Sequence, residues 1–171
     1  MRNFASPSRY IQGENALFEN AKAISELGTH PVLLCDSVVY DIVGKRFEEY
    51  LVQNGLTVVP VFFNGEASDN EINRVVSLAK EEGCDLVIGL GGGKTIDSAK
   101  AIADLLKSPV VIAPTIASTD APVSACLLSI RTRVPLNATS FILRTQNWFW
   151  SIVRLSLKRQ NACSLLVSQM A

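Results

Sequence analysis

Three consecutive glycines followed by a lysine, Gly91, Gly92, Gly93 and Lys94, constrain this chain more than any other feature. They stand between an apolar run, "CDLVIGL" (84–90), and a helix-forming run, "TIDSAKAIADLL" (95–106). A strand that passes through glycine directly into a helix makes a tight turn in which no Cβ shields the backbone. It also leaves the first amides of the helix facing outward, where the helix dipole and an ammonium group favour an anion.

The rest of the chain repeats the same alternation. Helical spacing of Leu17, Ala21, Ile24 and Leu27 predicts a helix over 15–27, with Gly28 as its stop. A buried strand, "HPVLLCD" (30–36), follows and ends in Asp36. A second helix is predicted over 38–54, with Ile42, Phe47 and Leu51 inward and Gly55 as its stop. "LTVVPVFF" (56–63) reads as a strand that Pro60 confines to a sheet edge or a bulge. Ser68 and Glu71 have the spacing of a capping box and open a helix that runs to Gly83. "SPVVIAPT" (108–115) is the fourth strand. Short connections between alternating strands and helices predict an α/β fold, a Rossmann-like parallel sheet with helices on both faces. Ligands of such sheets bind beyond the carboxyl ends of the strands. Asp36, the glycine run and the polar loop 115–124 are therefore the places where function is expected.

Two common phosphate motifs do not fit. A dinucleotide fingerprint would need glycine where Lys94 stands, and a Walker A motif ending at Thr95 would need glycine where Ile88 stands. A glycine-rich turn without chemistry is the plain alternative. "GLGGGKTIDSAK" (89–100) does resemble the glycine signature of the superfamily of glycerol dehydrogenases, iron-type alcohol dehydrogenases and dehydroquinate synthases, with Asp97 as its final acid. The loop "APTIASTDAPVSA" (113–125) is similar to that of glycerol dehydrogenases in particular.

The resemblance covers about residues 1–125 and implies an NAD-dependent oxidation of glycerol to dihydroxyacetone. It implies that Gly91, Gly92, Gly93 and Lys94 hold the cofactor diphosphate, with a lesser part for Asp97, and that Asp36 binds the adenosine ribose. It further implies that Thr115, Ser118 and Ser124 contact the nicotinamide half and that Asp120 binds substrate hydroxyls. A carboxylate suits a polyol because it accepts from two hydroxyls at once. Local explanations stand beside these roles: Asp36 can cap the next helix, and Asp120 can make a turn ahead of Pro122. A lyase resembling dehydroquinate synthase and a non-catalytic dinucleotide-binding module are the alternative functions.

The sequence changes character near residue 125. Residues 1–120 carry all 16 acids against ten cations, a net −6, whereas 121–171 carry six cations and no acid. All ten glycines lie at or before Gly93. The segment 126–171 is expected to be an atypical basic tail, read here as out-of-frame sequence that leaves the resemblance truncated. The rival readings are a basic aromatic segment for nucleic acid or a membrane surface, prompted by Trp148, Phe149 and Trp150, and an ordinary helix. Glycerol dehydrogenases hold zinc with one aspartate and two histidines in a C-terminal helical domain, and that domain is expected to be absent from this chain. The single histidine, His30, precedes a strand and reads as a loop residue, so no metal ligand is assigned and the chain alone is expected to be inactive.

With 48% apolar and 19% charged residues the composition is globular, not disordered. No apolar leader or membrane span is evident, and the cysteines are widely spaced, so a cytoplasmic setting without nucleic-acid or membrane partners is expected. The family resemblance implies a homo-oligomer.

Overall fold

In the computed structural model, residues 15–116 and positions 9, 11 and 13 are described. The proposed boundary at 125 and the tail beyond it lie outside the described residues. Four strands, β1 (Pro31–Cys35), β2 (Val59–Phe62), β3 (Leu86–Gly91) and β4 (Val110–Pro114), form one parallel sheet in the order β2-β1-β3-β4. The registers are parallel throughout, for example Val32 beside Val59, Val32 beside Val87, and Val87 beside Val110. β1 and β3, covered on both faces, are buried along their whole length. β2 lies at an edge with Pro60 exposed, the position that the missing proline N–H requires.

Each face of the sheet has its own core. On one face α4 (Asp69–Glu81) and α5 (Gly93–Leu106) pack Ile72, Val75, Ile96 and Ile102 onto Val32, Leu34, Val87 and Ile112. On the other, α1 (Ala21–Ser25) and α3 (Lys45–Gln53) pack Ile24, Phe47 and Leu51 onto Leu33, Ile88 and Val111. Helices on both faces of a parallel sheet are the architecture that the alternating pattern predicts.

Three local expectations are corrected. The helix expected over 15–27 is a 3₁₀ turn (Ala16–Phe18) followed by the five-residue α1. Asn15 takes a left-handed conformation, and the Asn20 side chain donates to the Ala16 carbonyl at 2.7 Å, an interaction that competes with continuous helix. Gly28 lies beyond the helix end and has a different task. A Cβ there would sit 2.6 Å from Asp85 Oδ1, and the Asp85 carboxylate accepts from the amides of Thr29 (2.9 Å) and His30 (2.8 Å). That clamp ties the entrances of β1 and β3 together.

The second helix is continuous in path but not in pitch. Ser37–Val39 forms α2, Tyr40–Gly44 a π-helical turn closed by the Lys45 amide on the Tyr40 carbonyl, and α3 follows. One extra residue in the turn shifts the inward face, so Val43 and Gly44 are buried and Ile42 is exposed, contrary to expectation. Gly44 accommodates the Tyr40 ring, which a Cβ would meet at 2.9 Å. Gly55 and Gly83 do stop their helices at positive φ.

The capping box forms only by half. Ser68 Oγ accepts from the Glu71 amide at 3.3 Å, but Glu71 turns its carboxylate to Asn64 and Arg74 instead of to Ser68. Among the described residues, Cys35 and Cys84 are free thiols; burial pushes Cys35 up to about 12 and raises Cys84 as well. No helix among the described residues is long and apolar enough to cross a membrane.

Candidate functional site

The strand order reverses direction at β1. The chain leaves β1 towards β2 on one side and returns to β3 on the other, so the topological switch point, where ligands of such sheets bind, lies at the carboxyl ends of β1 and β3. Asp36 follows β1, and Gly92 follows β3. The fold thus brings together two of the places picked out in the sequence, and β4 delivers the third, Thr115, whose amide donates to the Gly91 carbonyl at 3.0 Å.

The turn at 91–93 shows why glycine stands there. Gly91 is the last strand residue, and a Cβ on it would lie 2.9 Å from the buried Thr95 hydroxyl. Gly92 is the extended residue at the mouth of α5, with Ile116 3.2 Å from where its Cβ would be. No side chain caps the helix. The first backbone bond of α5 runs from the Ile96 amide to the Gly92 carbonyl, 3.0 Å. The amides of Gly93, Lys94 and Thr95 therefore have no partner inside the helix and present three aligned donors at its positive end. Gly92 and Gly93 are partly accessible and Lys94 is exposed, so these donors sit at the surface and not in the core.

Asp36 has an extended backbone, and its Oδ1 accepts from the Val39 amide at 2.8 Å, so it does cap the helix after β1. Among the described residues its Oδ2 takes no hydrogen bond, which leaves that oxygen for a second donor. Beside it, Tyr40 donates its hydroxyl to Glu48 Oε2 at 2.7 Å, and its ring meets Phe62 edge-on at 5.2 Å. The hydrogen bond to this carboxylate favours the protonated phenol and pushes it up to about 12.

Asp97, one turn into α5, faces Lys100: Oδ1 and Nζ are 3.3 Å apart, and Lys100 is 2% exposed. A lysine so deeply placed requires a counter-charge, so Asp97 has a structural duty whatever else it does. The sequence reading missed Lys100, although the i, i+3 spacing of the two residues was a signal for the pair. It also missed Glu66. This residue lies in the loop after β2, and its Oε1 is 2.6 Å from Lys94 Nζ. Nothing local could have indicated that contact, which spans 28 positions. Ser118, Asp120 and Ser124 lie outside the described residues. Among the described residues no group of three or more His, Cys, Asp or Glu could hold a metal ion.

Residues 7–133 match the protein family described as iron-containing alcohol dehydrogenase. A glycolaldehyde reductase from Halobacterium salinarum is 43% identical over 122 residues, 71% of this chain and 33% of that protein. A glycerol dehydrogenase from Thermotoga maritima is 45% identical over 120 residues, 70% of this chain and 32% of that enzyme. The crystal structure of glycerol dehydrogenase from Schizosaccharomyces pombe superposes with a TM-score of 0.78 at 33% identity, covering 90% of this chain and 38% of that one. The chain spans about a third of the length of the curated relatives it matches.

Proposed function

Because this chain belongs to the iron-containing alcohol dehydrogenase family, we propose that it is the NAD-binding part of a glycerol dehydrogenase. The observation that carries the reading is the pairing of Asp36 with the amides of 93–95 across the mouth between β1 and β3. The two features offer opposite chemistry. Aligned N–H groups and Lys94 suit a diphosphate, while the open oxygen of Asp36 suits a ribose hydroxyl. A carboxylate at that position also repels a 2′-phosphate, which favours NAD over its phosphorylated form.

Thr115, held next to Gly91, together with Ser118 and Ser124, is proposed to contact the nicotinamide half, and Asp120 to take the hydroxyls of glycerol. Asp97 supports the diphosphate turn through α5. When bound, NAD supplies the acceptor for a hydride from the carbinol carbon. This chain's own contribution is to neutralise the diphosphate, orient the ribose and fix the depth of the nicotinamide at the switch point. Cofactor binding is the role proposed for the described residues, among which no group of three or more His, Cys, Asp or Glu could hold a metal ion. The family's homo-oligomeric state and a cytoplasmic setting belong to the same reading.

Calorimetric titration of NAD, NADP and ATP into the 171-residue chain tests it, with a parallel assay of glycerol oxidation. NAD is expected to bind more tightly than the other two, without turnover of glycerol by this chain. Preference for ATP would reject the dinucleotide reading, and metal-dependent turnover would reject the view that these residues only bind cofactor.

A further inference from the structure

Lys94 already has an anion. Its ammonium lies 2.6 Å from Glu66 Oε1, and both side chains are about three-fifths exposed, at 60% and 59%. Glu66 belongs to the loop between β2 and α4, while Lys94 stands in the first turn of α5. α4 and α5 pack side by side on the same sheet face, which places that loop next to the N-terminal end of α5. The surrounding chain helps to fix it there: Gly65, immediately before, has φ +88, and the Ser68 amide donates to the Glu66 carbonyl at 2.9 Å. The carboxylate is thus paired with the lysine that the proposed function gives to the diphosphate.

We infer that Glu66 is a resident counter-anion that an incoming diphosphate must displace from Lys94, so that this residue lowers the affinity of the dinucleotide site. The inference rests on the proposed function and adds a residue to it. A group with two negative charges outcompetes one carboxylate for the ammonium and the helix end together, whereas a singly charged ligand gains little from the exchange. Every anion that takes Lys94 bears the same cost of breaking this pair, so Glu66 weakens each of them. An exposed ion pair stabilises by at most about 1 kcal/mol, so removing it changes affinity by up to about fivefold.

The test is calorimetric titration of NAD and of inorganic pyrophosphate into the full chain, the Glu66→Gln and Lys94→Met variants, and the double variant. Glu66→Gln is expected to tighten both ligands by about two- to fivefold. Lys94→Met is expected to weaken both. In the Lys94→Met background, Glu66→Gln is expected to have no further effect, because the competition acts through the lysine. Unchanged or weaker binding by Glu66→Gln overturns the inference, the latter because it would make Glu66 a ligand contact. A full Glu66→Gln gain in the absence of Lys94 also overturns it. If the parent chain binds neither NAD nor pyrophosphate, the proposed function falls and this inference with it. If the parent binds and Glu66→Gln changes nothing, the inference alone falls.

Discussion

Gly89 of β3 and Ala99 of α5 pack in close contact: a Cβ built on Gly89 would lie 2.6 Å from the Ala99 Cβ. This contact, two residues before the glycine turn and six after its end, fixes how deeply the helix seats on the strand. The direction in which the amides of 93–95 face follows from it.

Gly89→Ala is therefore expected to lower the unfolding free energy by about 1–3 kcal/mol, the usual cost of forcing a methyl into a filled core. Adding Ala99→Gly should recover part of the loss, even though glycine inside a helix costs about 1 kcal/mol by itself. Urea unfolding of the two single variants and the double variant checks this. Strictly additive losses would show that the two residues do not press on each other.

The two duties of Asp36 can be separated by choice of substitution. Asp36→Ala removes both the cap on the Val39 amide and the oxygen offered to a ribose, and is expected to cost about 1 kcal/mol of stability as well as NAD affinity. Asp36→Ser keeps a capping oxygen, so its stability should stay near that of the parent while NAD binds about tenfold more weakly. Thermal unfolding and NAD titration of both variants distinguish the outcomes. Undiminished NAD affinity in Asp36→Ser would leave the residue a cap and nothing more.

The carboxylate of Glu71 is held below its ordinary value of 4.5, first by the Arg74 guanidinium at 2.6 and 2.9 Å and then by the Asn64 donors, against an opposing effect of burial. Because its folded value is the lower one, the group stabilises the fold above the unfolded value, and that contribution disappears as pH falls through the folded value. Glu71→Gln should thus be less stable than the parent near neutrality, and the difference should shrink on acidification below about pH 4. Urea midpoints measured across that range provide the check; a constant gap between the two proteins would rule out the ion pair as its source.

Much of the fold was legible because its strands are short apolar runs separated by glycine and capping residues. Pro60 limited β2 to a sheet edge or a bulge, and the need for crossover helices made the strands parallel, but the strand order and the choice of the edge came from the structure. What could not be read were contacts whose partners are distant in sequence. Gly28 looked like a helix stop, but its smallness is required by Asp85, 57 residues later. Glu71 had the spacing of a reciprocal cap, yet Arg74 and Asn64 offer it charge and two further donors, which outweigh one backbone amide. At the site, the glycine turn and Asp36 announced themselves by residue type and by position at strand ends. The counter-ion on Lys94 did not, since an exposed glutamate in a loop has no local signature.

The π-helical turn at Tyr40–Gly44 has a consequence for insertions and deletions in this helix. Its extra residue puts the stretch that begins at the Asp36 cap out of phase, by about 100°, with the stretch that carries Phe47 and Leu51. Each half can then be aligned to its own neighbour, the switch point at one end and the sheet at the other. Shortening the turn by a single residue would lock the halves into one phase, and only one of those two alignments could survive.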